Sequence, residues 1–156
     1  MKQKMIAVVL AMALCVTGVF GGVFEAKAEE TGESIDFSYL LTNNALVGYA
    51  ESQTRGVYLL SGRSIINEMS VNKIGAGGTT TAAKRCTVSL TCIVERKASS
   101  GWVRVTSWTQ TNEDAFSAMI SRSLTVGTGY YYRVRSSHYA ASDVSSSWTG
   151  ALWMGN

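Results

Sequence analysis

Histidine, aspartate and serine are the residue types of this chain that could support hydrolytic chemistry. His138 is the only histidine, and Asp143 lies near it in a serine-rich stretch. In a Ser-His-Asp arrangement the imidazole activates a serine hydroxyl and the carboxylate orients the imidazole. The chain has no Gly-x-Ser-x-Gly pattern, which places a nucleophilic serine on a strained turn. We therefore expect no catalytic residues, and we expect His138 at the surface, in a loop or at a strand end.

Cys86 and Cys92 could form a disulfide or contribute to a metal site. The residues between them alternate apolar and polar types without a turn former, which predicts one extended strand. Six strand steps separate the two Cα atoms by about 20 Å, whereas a disulfide requires less than about 7 Å. We expect two free thiols that pack as small apolar side chains. One histidine and two strand-bound cysteines also lack the ligand spacing of zinc sites, so no metal or cofactor is expected.

Aromatic and cationic residues recur at alternate positions of two β-type segments. If Val103 and Val105 face the core, the residues between and beside them, Trp102, Arg104, Thr106 and Trp108, share the outer face. In the segment 130–135, Tyr131, Arg133 and Arg135 would also face outward. Such patches bind sugars by stacking, or proteins through aromatic and arginine anchors. The alternative places Trp102 or Trp108 in the core with arginines covering its edges, which we favour for Trp102 and leave open for Trp108. The candidate binding face is Arg104, Trp108, Tyr131, Arg133 and Arg135.

The first 28 residues have the three parts of an export signal. Two lysines precede an apolar run that ends at Phe24, and Ala26-Lys27-Ala28 has the small-x-small pattern that signal peptidase requires. We expect a signal peptide at residues 1–28, cleaved between Ala28 and Glu29. The apolar run is also long enough for an uncleaved membrane anchor. Glycines near its end and the adjacent cleavage pattern favour removal, which predicts a secreted or cell-surface protein.

The charge balance of the mature chain limits its partners. The predicted signal peptide holds three lysines and one glutamate, so its removal lowers the formal charge from +3 to about +1. That charge is too small to indicate a nucleic-acid partner. No membrane contact is expected after cleavage, and the partner is expected to be a protein or a cell-envelope glycan.

From residue 55 onward, short β-type segments alternate with turn residues, a pattern typical of a sandwich of antiparallel strands. We predict an all-β, immunoglobulin- or fibronectin-III-like β-sandwich over residues 55–156. Residues 29–54 form a polar lead-in whose structure the pattern does not decide. A loop is expected at Gly75-Ala76-Gly77-Gly78, which lacks the lysine of a phosphate-binding loop. The expected strands are 86–96, 102–108, 115–126, 130–135 and 148–154, with a turn at 110–114 and a polar connection at 142–147.

Two stretches carry resemblances to known families. The segment from Leu124 to Arg135, with a Gly-Thr turn before a run of tyrosines, resembles the E–F corner of fibronectin type III domains. The resemblance implies that the hydroxyl of Tyr130 bonds back to the upstream backbone, with Tyr132 and Val134 pointing inward. It implies a fold and no function.

The second resemblance covers most of the mature chain, from about Gly56 to the end. Its characteristic residues are the segment 58–74, Ala76-Gly77-Gly78-Thr79, the segment 85–96, Gly101-Trp102, Trp108 and the segment 129–135. With these the chain resembles a family of small secreted proteins from Gram-positive bacteria classed as a domain of unknown function. That resemblance implies export and a β-rich fold, and it brings no catalytic residues.

Together these observations favour a non-catalytic extracellular or cell-surface interaction module. A carbohydrate-binding module that uses the exposed tryptophan and tyrosine side chains is the alternative. A secreted hydrolase built around His138 is the third hypothesis.

Overall fold

The computed structural model describes residues 31–42, 44–50 and 56–155. The predicted signal peptide, with its cleavage residues Ala26, Ala28 and Glu29, lies outside the described residues. Within the described ranges, no helix has the length and apolar character needed to cross a membrane. The elements are β1 (Glu33–Ser34), a 3-10 helix (Phe37–Leu41), β2 (Leu46–Tyr49), β3 (Leu59–Ser70), β4 (Lys73–Ala98), β5 (Gly101–Thr125), β6 (Tyr130–Ala140), β7 (Asp143–Trp148) and β8 (Leu152–Met154).

Two long strands, β4 and β5, run through both layers of the fold. They pair with each other in antiparallel fashion along most of their length. The first half of β4 also pairs with β3, whereas its second half pairs with β6. A register shift between Thr81 and Cys86 separates the two halves, and such irregularities bend a strand. The first layer has the order β1-β5-β4-β3-β2, and in the second layer β6 lies between β4 and the pair β7 and β8.

The two layers pack face to face, with β3 against β6 and β7. The predicted all-β antiparallel sandwich is therefore confirmed. As the alternation predicts, Val88, Leu90, Cys92 and Val94 face the core from β4. Both Cys86 and Cys92 are free thiols, as the single strand requires. Burial raises the pKa of the Cys92 thiol to about 12, which keeps it in its unreactive protonated form.

The N-terminal residues explain why the predicted loop at residues 75–78 is instead part of β4. Leu40 of the 3-10 helix is buried against the outer side of the first layer. A Cβ atom on Gly75 or Gly77 would lie 2.9 or 2.8 Å from the Leu40 side chain. The glycines therefore permit a close approach of the helix, and the side-chain amide of Asn67 binds the carbonyl oxygen of Tyr39 beside it. The predicted polar lead-in thus contributes β1 and β2 to the sheet and the 3-10 helix that packs on it.

Two other segments differ from the predicted pattern. Residues 110–114, predicted as a turn, lie inside β5, where Asp114 has a positive φ of 45°. The polar connection expected at residues 142–147 is largely the edge strand β7. Both segments lie at an edge of the second layer, where a strand has few buried positions. Their polar residues therefore do not alternate with apolar ones, and the sequence pattern did not identify them as strand.

Tyr132, rather than Tyr130, closes the turn before β6. Its hydroxyl donates to the carbonyl oxygen of Gly127 over 2.9 Å, and its ring is buried. Tyr130 lies at the surface, with the Arg96 guanidinium 4.4 Å from its ring centre. The expectation of Tyr130 as the corner residue was therefore wrong: Tyr130 is the first residue of β6, at the edge of the core, whereas Tyr132, on the same side of the strand two residues later, reaches the interior.

Candidate functional site: an exposed aromatic and arginine face

The outer surface of the second layer gathers aromatic and charged side chains near the β4–β5 turn. Residues directly opposite each other in antiparallel strands place their side chains on the same side of the sheet. Glu95 of β4 lies opposite both Arg133 of β6 and Arg104 of β5. Tyr131 likewise lies opposite Trp153 of β8. We call this surface the aromatic–arginine face; it consists of Glu95, Lys97, Trp102, Arg104, Tyr131, Arg133, Arg135, Trp148 and Trp153.

Glu95 is the centre of the face, and its carboxylate is held by two arginines. Oε2 accepts a hydrogen bond from Arg133 Nε over 2.7 Å, and Oε1 accepts one from Arg135 Nε over 3.1 Å. The carboxylate is almost fully buried beneath them. Hydrogen bonds between ionised groups are short and strong, and a buried charge needs such partners. Glu95 therefore fixes the positions of both guanidinium groups.

Trp102, at the start of β5, stacks against the Arg133 guanidinium. The Arg133 Cζ atom lies 4.3 Å from the centre of the Trp102 ring, and Lys97 Nζ lies 5.5 Å from it. A cation over an aromatic face is attracted by the ring quadrupole, and a planar guanidinium also stacks on the ring. Trp102 was expected in the core; it is half-buried on the outer face, with cations over its ring.

Three further aromatic side chains lie beside these cations. Tyr131 and Trp153 form a tilted pair, with ring centres 4.8 Å apart. Trp148 of β7 lies opposite Arg135 and is 53 % exposed. Tyr131 and Trp153 are each about half exposed. The face therefore presents aromatic rings and arginines together to solvent.

Four of the five residues predicted for the binding face lie on this surface: Arg104, Tyr131, Arg133 and Arg135. The fifth, Trp108, was misplaced. It belongs to the core with 3 % of its surface exposed, and its Nε1 donates to the carbonyl oxygen of Thr31 over 2.7 Å.

A β-bulge at Val105 is the physical reason for the error on Trp108. Arg104 and Thr106 lie opposite adjacent residues of β4, so Val105 has no partner of its own. One extra residue reverses which side of the sheet the following side chains face. Trp102 and Arg104 therefore face outward, whereas Thr106 and Trp108 face the core.

The members of the face that were not predicted from the sequence are Glu95, Lys97, Trp102, Trp148 and Trp153. Trp153 lies between Leu152 and Met154, which face the interior from β8. That short alternation is the signal that could have identified its side chain as outward-facing. Nothing in the sequence indicates that Glu95 meets Arg133 and Arg135, because the contact depends on the pairing of β4 with β6.

His138 lies in the core, contrary to the surface position expected from the sequence. It is 0 % exposed, on the inner side of β6. Its Nδ1 is 2.9 Å from Thr80 Oγ1, and its Nε2 is 2.8 Å from Ser147 Oγ. Burial disfavours the charged imidazolium and lowers the pKa of His138 to about 4. The neutral ring therefore links β4, β6 and β7 through hydrogen bonds.

The hydroxyl network continues from Ser147 across the interface between the layers. Ser147 Oγ lies 2.6 Å from Ser64 Oγ, which donates to Ser136 Oγ over 2.7 Å. Ser136 is in turn 3.4 Å from the Cys92 thiol. Each polar side chain of this network thus has a hydrogen-bond partner within it, as low-dielectric surroundings favour. A Cβ on Gly62 would lie 2.5 Å from the His138 ring, so glycine leaves the room that the imidazole occupies.

Asp143 is not part of this network. Its carboxylate accepts hydrogen bonds from the backbone N–H groups of Tyr58 and Leu59, over 2.6 and 2.9 Å. These bonds lower the pKa of the Asp143 carboxyl group. The structure therefore does not bring His138 and Asp143 together as a hydrolytic triad would require.

The described residues contain no group of three or more histidine, cysteine or acidic side chains arranged to hold a metal ion. A depression of about 370 Å³ lies where β1 meets the end of β5, lined by Thr31, Gly32, Glu33, Lys73, Ser123, Leu124 and Thr125. It is separate from the aromatic–arginine face.

Fold and surface define the described part of the chain as an antiparallel β-sandwich with an exposed aromatic and cationic face. In comparisons with known proteins, the chain matches no family model, no curated protein and no solved structure. The two resemblances noted from the sequence stay predictions.

Proposed function

We propose that this protein is an exported, non-catalytic interaction module that binds its partner through the aromatic–arginine face. The observation that carries the proposal is the cluster in which Glu95 holds Arg133 and Arg135 beside exposed aromatic rings. Tryptophan, tyrosine and arginine dominate the energetics of binding surfaces, because they combine large contact area with directional hydrogen bonds.

The arginines of this face are held in place before any partner arrives. Arg133 lies between the carboxylate of Glu95 and the ring of Trp102. Ordering a long side chain upon binding costs free energy, so a guanidinium already fixed in place binds its partner with a smaller entropic loss. Folding alone does not require three half-exposed rings beside these cations, and exposed apolar clusters on soluble proteins often mark interaction sites.

Export is the second part of the proposal, and it rests on the predicted signal peptide. The full chain expressed in a Gram-positive host is expected in the medium or on the cell surface, with Glu29 as its first residue. Mass spectrometry of the recovered protein measures this. An intact N-terminus in the membrane fraction would instead identify residues 5–24 as an anchor.

The binding function is tested with Gram-positive cell-wall preparations, to which the exported protein is added at increasing concentration. Wild type is compared with Trp153→Ala and with Tyr49→Ala. The control residue Tyr49 is 70 % exposed on β2, in the other layer. We expect saturable binding that weakens at least tenfold in Trp153→Ala and is unchanged in Tyr49→Ala. Equal binding by all three proteins would show that this face is not the binding site.

A further inference from the structure

The aromatic–arginine face is strongly cationic compared with the rest of the protein. It holds four basic side chains, Lys97, Arg104, Arg133 and Arg135, and one carboxylate, Glu95. This is a net of three positive charges, whereas the mature chain is expected to carry about +1 in total. The remainder of the chain is therefore net negative, and the positive charge is concentrated beside the exposed rings.

The contacts within the face leave hydrogen-bond donors for a ligand. Arg133 and Arg135 each reach Glu95 through Nε. Across the described residues, the terminal nitrogens of these two arginines have no hydrogen-bond acceptor in the protein. Guanidinium groups bind carboxylates and phosphates through paired N–H donors. Arg104, exposed on the opposite side of Glu95, adds a third such group.

We infer that the ligand of this face is an acidic polysaccharide, an inference that rests on the proposed function. The arginines would bind its carboxylate or phosphate groups. The exposed rings of Tyr131, Trp148 and Trp153 would pack against the C–H faces of its sugar rings, which are apolar and slightly positive, complementing the negative face of an aromatic ring.

The shape and composition of the surface favour a polysaccharide over an acidic protein. The same side of β4 continues from Lys97 to Ser89, eight strand steps that span about 26 Å. Along it lie hydroxyl pairs with β5: Thr91 with Thr109, and Ser89 with Thr111, each at 2.9 Å. Ile93 and the ring of Tyr139 lie on the same side, so hydroxyls alternate with small apolar surfaces along a narrow strip that extends beyond the aromatic–arginine face. A long chain bearing hydroxyl groups and acidic groups matches both parts of the surface.

The test uses polymers that share one backbone. Dextran, carboxymethyl dextran and dextran phosphate have the same glucose backbone and differ in the acidic group that it carries, which is none, a carboxylate or a phosphate. Poly-L-glutamate supplies carboxylates without sugar. Calorimetry measures binding by wild type, Arg104→Gln, Trp153→Ala and the control Tyr49→Ala. Both variants of the face change exposed side chains, and their thermal unfolding midpoints verify that they fold.

We expect wild type to bind an acidic dextran at least tenfold more tightly than dextran or poly-L-glutamate. The more tightly bound derivative identifies the acidic group. Arg104→Gln and Trp153→Ala should each lose about tenfold in affinity, and added salt should weaken binding. If dextran binds as tightly as its acidic derivatives, the charges have no role in binding. If poly-L-glutamate binds as tightly as the acidic dextrans, the ligand does not need sugar rings.

Failure of the inference is distinguishable from failure of the proposed function. If no dextran derivative binds while cell-wall binding still depends on Trp153, the face is an interaction site for another ligand class. If cell-wall binding is also independent of Trp153, both proposals are wrong.

Discussion

Acidification should destabilise this fold through His138. In the folded protein the imidazole is buried between Thr80 and Ser147, and its pKa is lowered to about 4 from 6.5. The unfolded chain exposes the same imidazole to water, where it binds a proton at the higher pH. Between pH 6.5 and 4 the unfolded state therefore holds more protons, so stability decreases as the pH falls through this window.

The magnitude follows from the difference between the two pKa values. Each pKa unit corresponds to about 1.36 kcal/mol, so the full window lowers the free energy of unfolding by about 3 kcal/mol. That is a large part of the roughly 5–15 kcal/mol by which small domains are commonly stable. Asp36 and Asp143 have lowered pKa values from backbone and side-chain hydrogen bonds, and their contributions are lost only at lower pH, below their ordinary value of 3.8.

Urea unfolding at a series of pH values from about 7.5 to 4.5 measures this loss. The matched variant is His138→Gln, which replaces the imidazole with a group that does not titrate. We expect its free energy of unfolding to vary much less with pH in the same window, although it starts from a lower value. A wild-type stability that stays constant between pH 6.5 and 4.5 would refute the burial of a neutral His138.

Two pairs of substitutions test the contacts of buried aromatic residues, each with a surface residue as its control. Trp108→Ala should lower the free energy of unfolding by about 3–5 kcal/mol, because it removes a buried ring. Trp148→Ala, at the surface, should change it little. Equal losses of both variants in urea unfolding would contradict the core position of Trp108. Tyr132→Phe should lower the free energy of unfolding by about 1 kcal/mol, because it removes the hydrogen bond to Gly127. Tyr130→Phe should leave the free energy of unfolding unchanged. An unchanged value for Tyr132→Phe in the same assay would show that the bond does not contribute to stability.

The strands with strict alternation were predictable from sequence, and those with irregular pairing were not. Residues 87–92 alternate strictly between polar and apolar types, so the strand and the burial of Val88, Leu90 and Cys92 followed directly from the pattern. The side of the sheet that Trp108 faces could not be predicted in this way, because the bulge at Val105 has no local sequence signal. Bulges are properties of strand pairs, and a single strand does not reveal its partner's register.

Long-range contacts explain the other differences. The glycines at residues 75–78 indicated a loop, since the 3-10 helix that packs on them is distant in sequence. The burial of His138 could not be predicted, because the two side chains that form hydrogen bonds with its ring, Thr80 and Ser147, come from other strands. Arg133 and Arg135 were predictable because they lie on a regular stretch of β6, whereas the role of Glu95 depended on which strand pairs with β6.

Continuity of β4 and β5 through both layers has a mechanical consequence. In a sandwich whose sheets share no strand, the two layers can slide or open about the connecting loops. In this protein the same two backbones belong to both sheets, so a relative displacement of the layers must bend paired strands and break their hydrogen bonds. The aromatic–arginine face is therefore carried on a stiff support, which holds the spacing of its rings and charges.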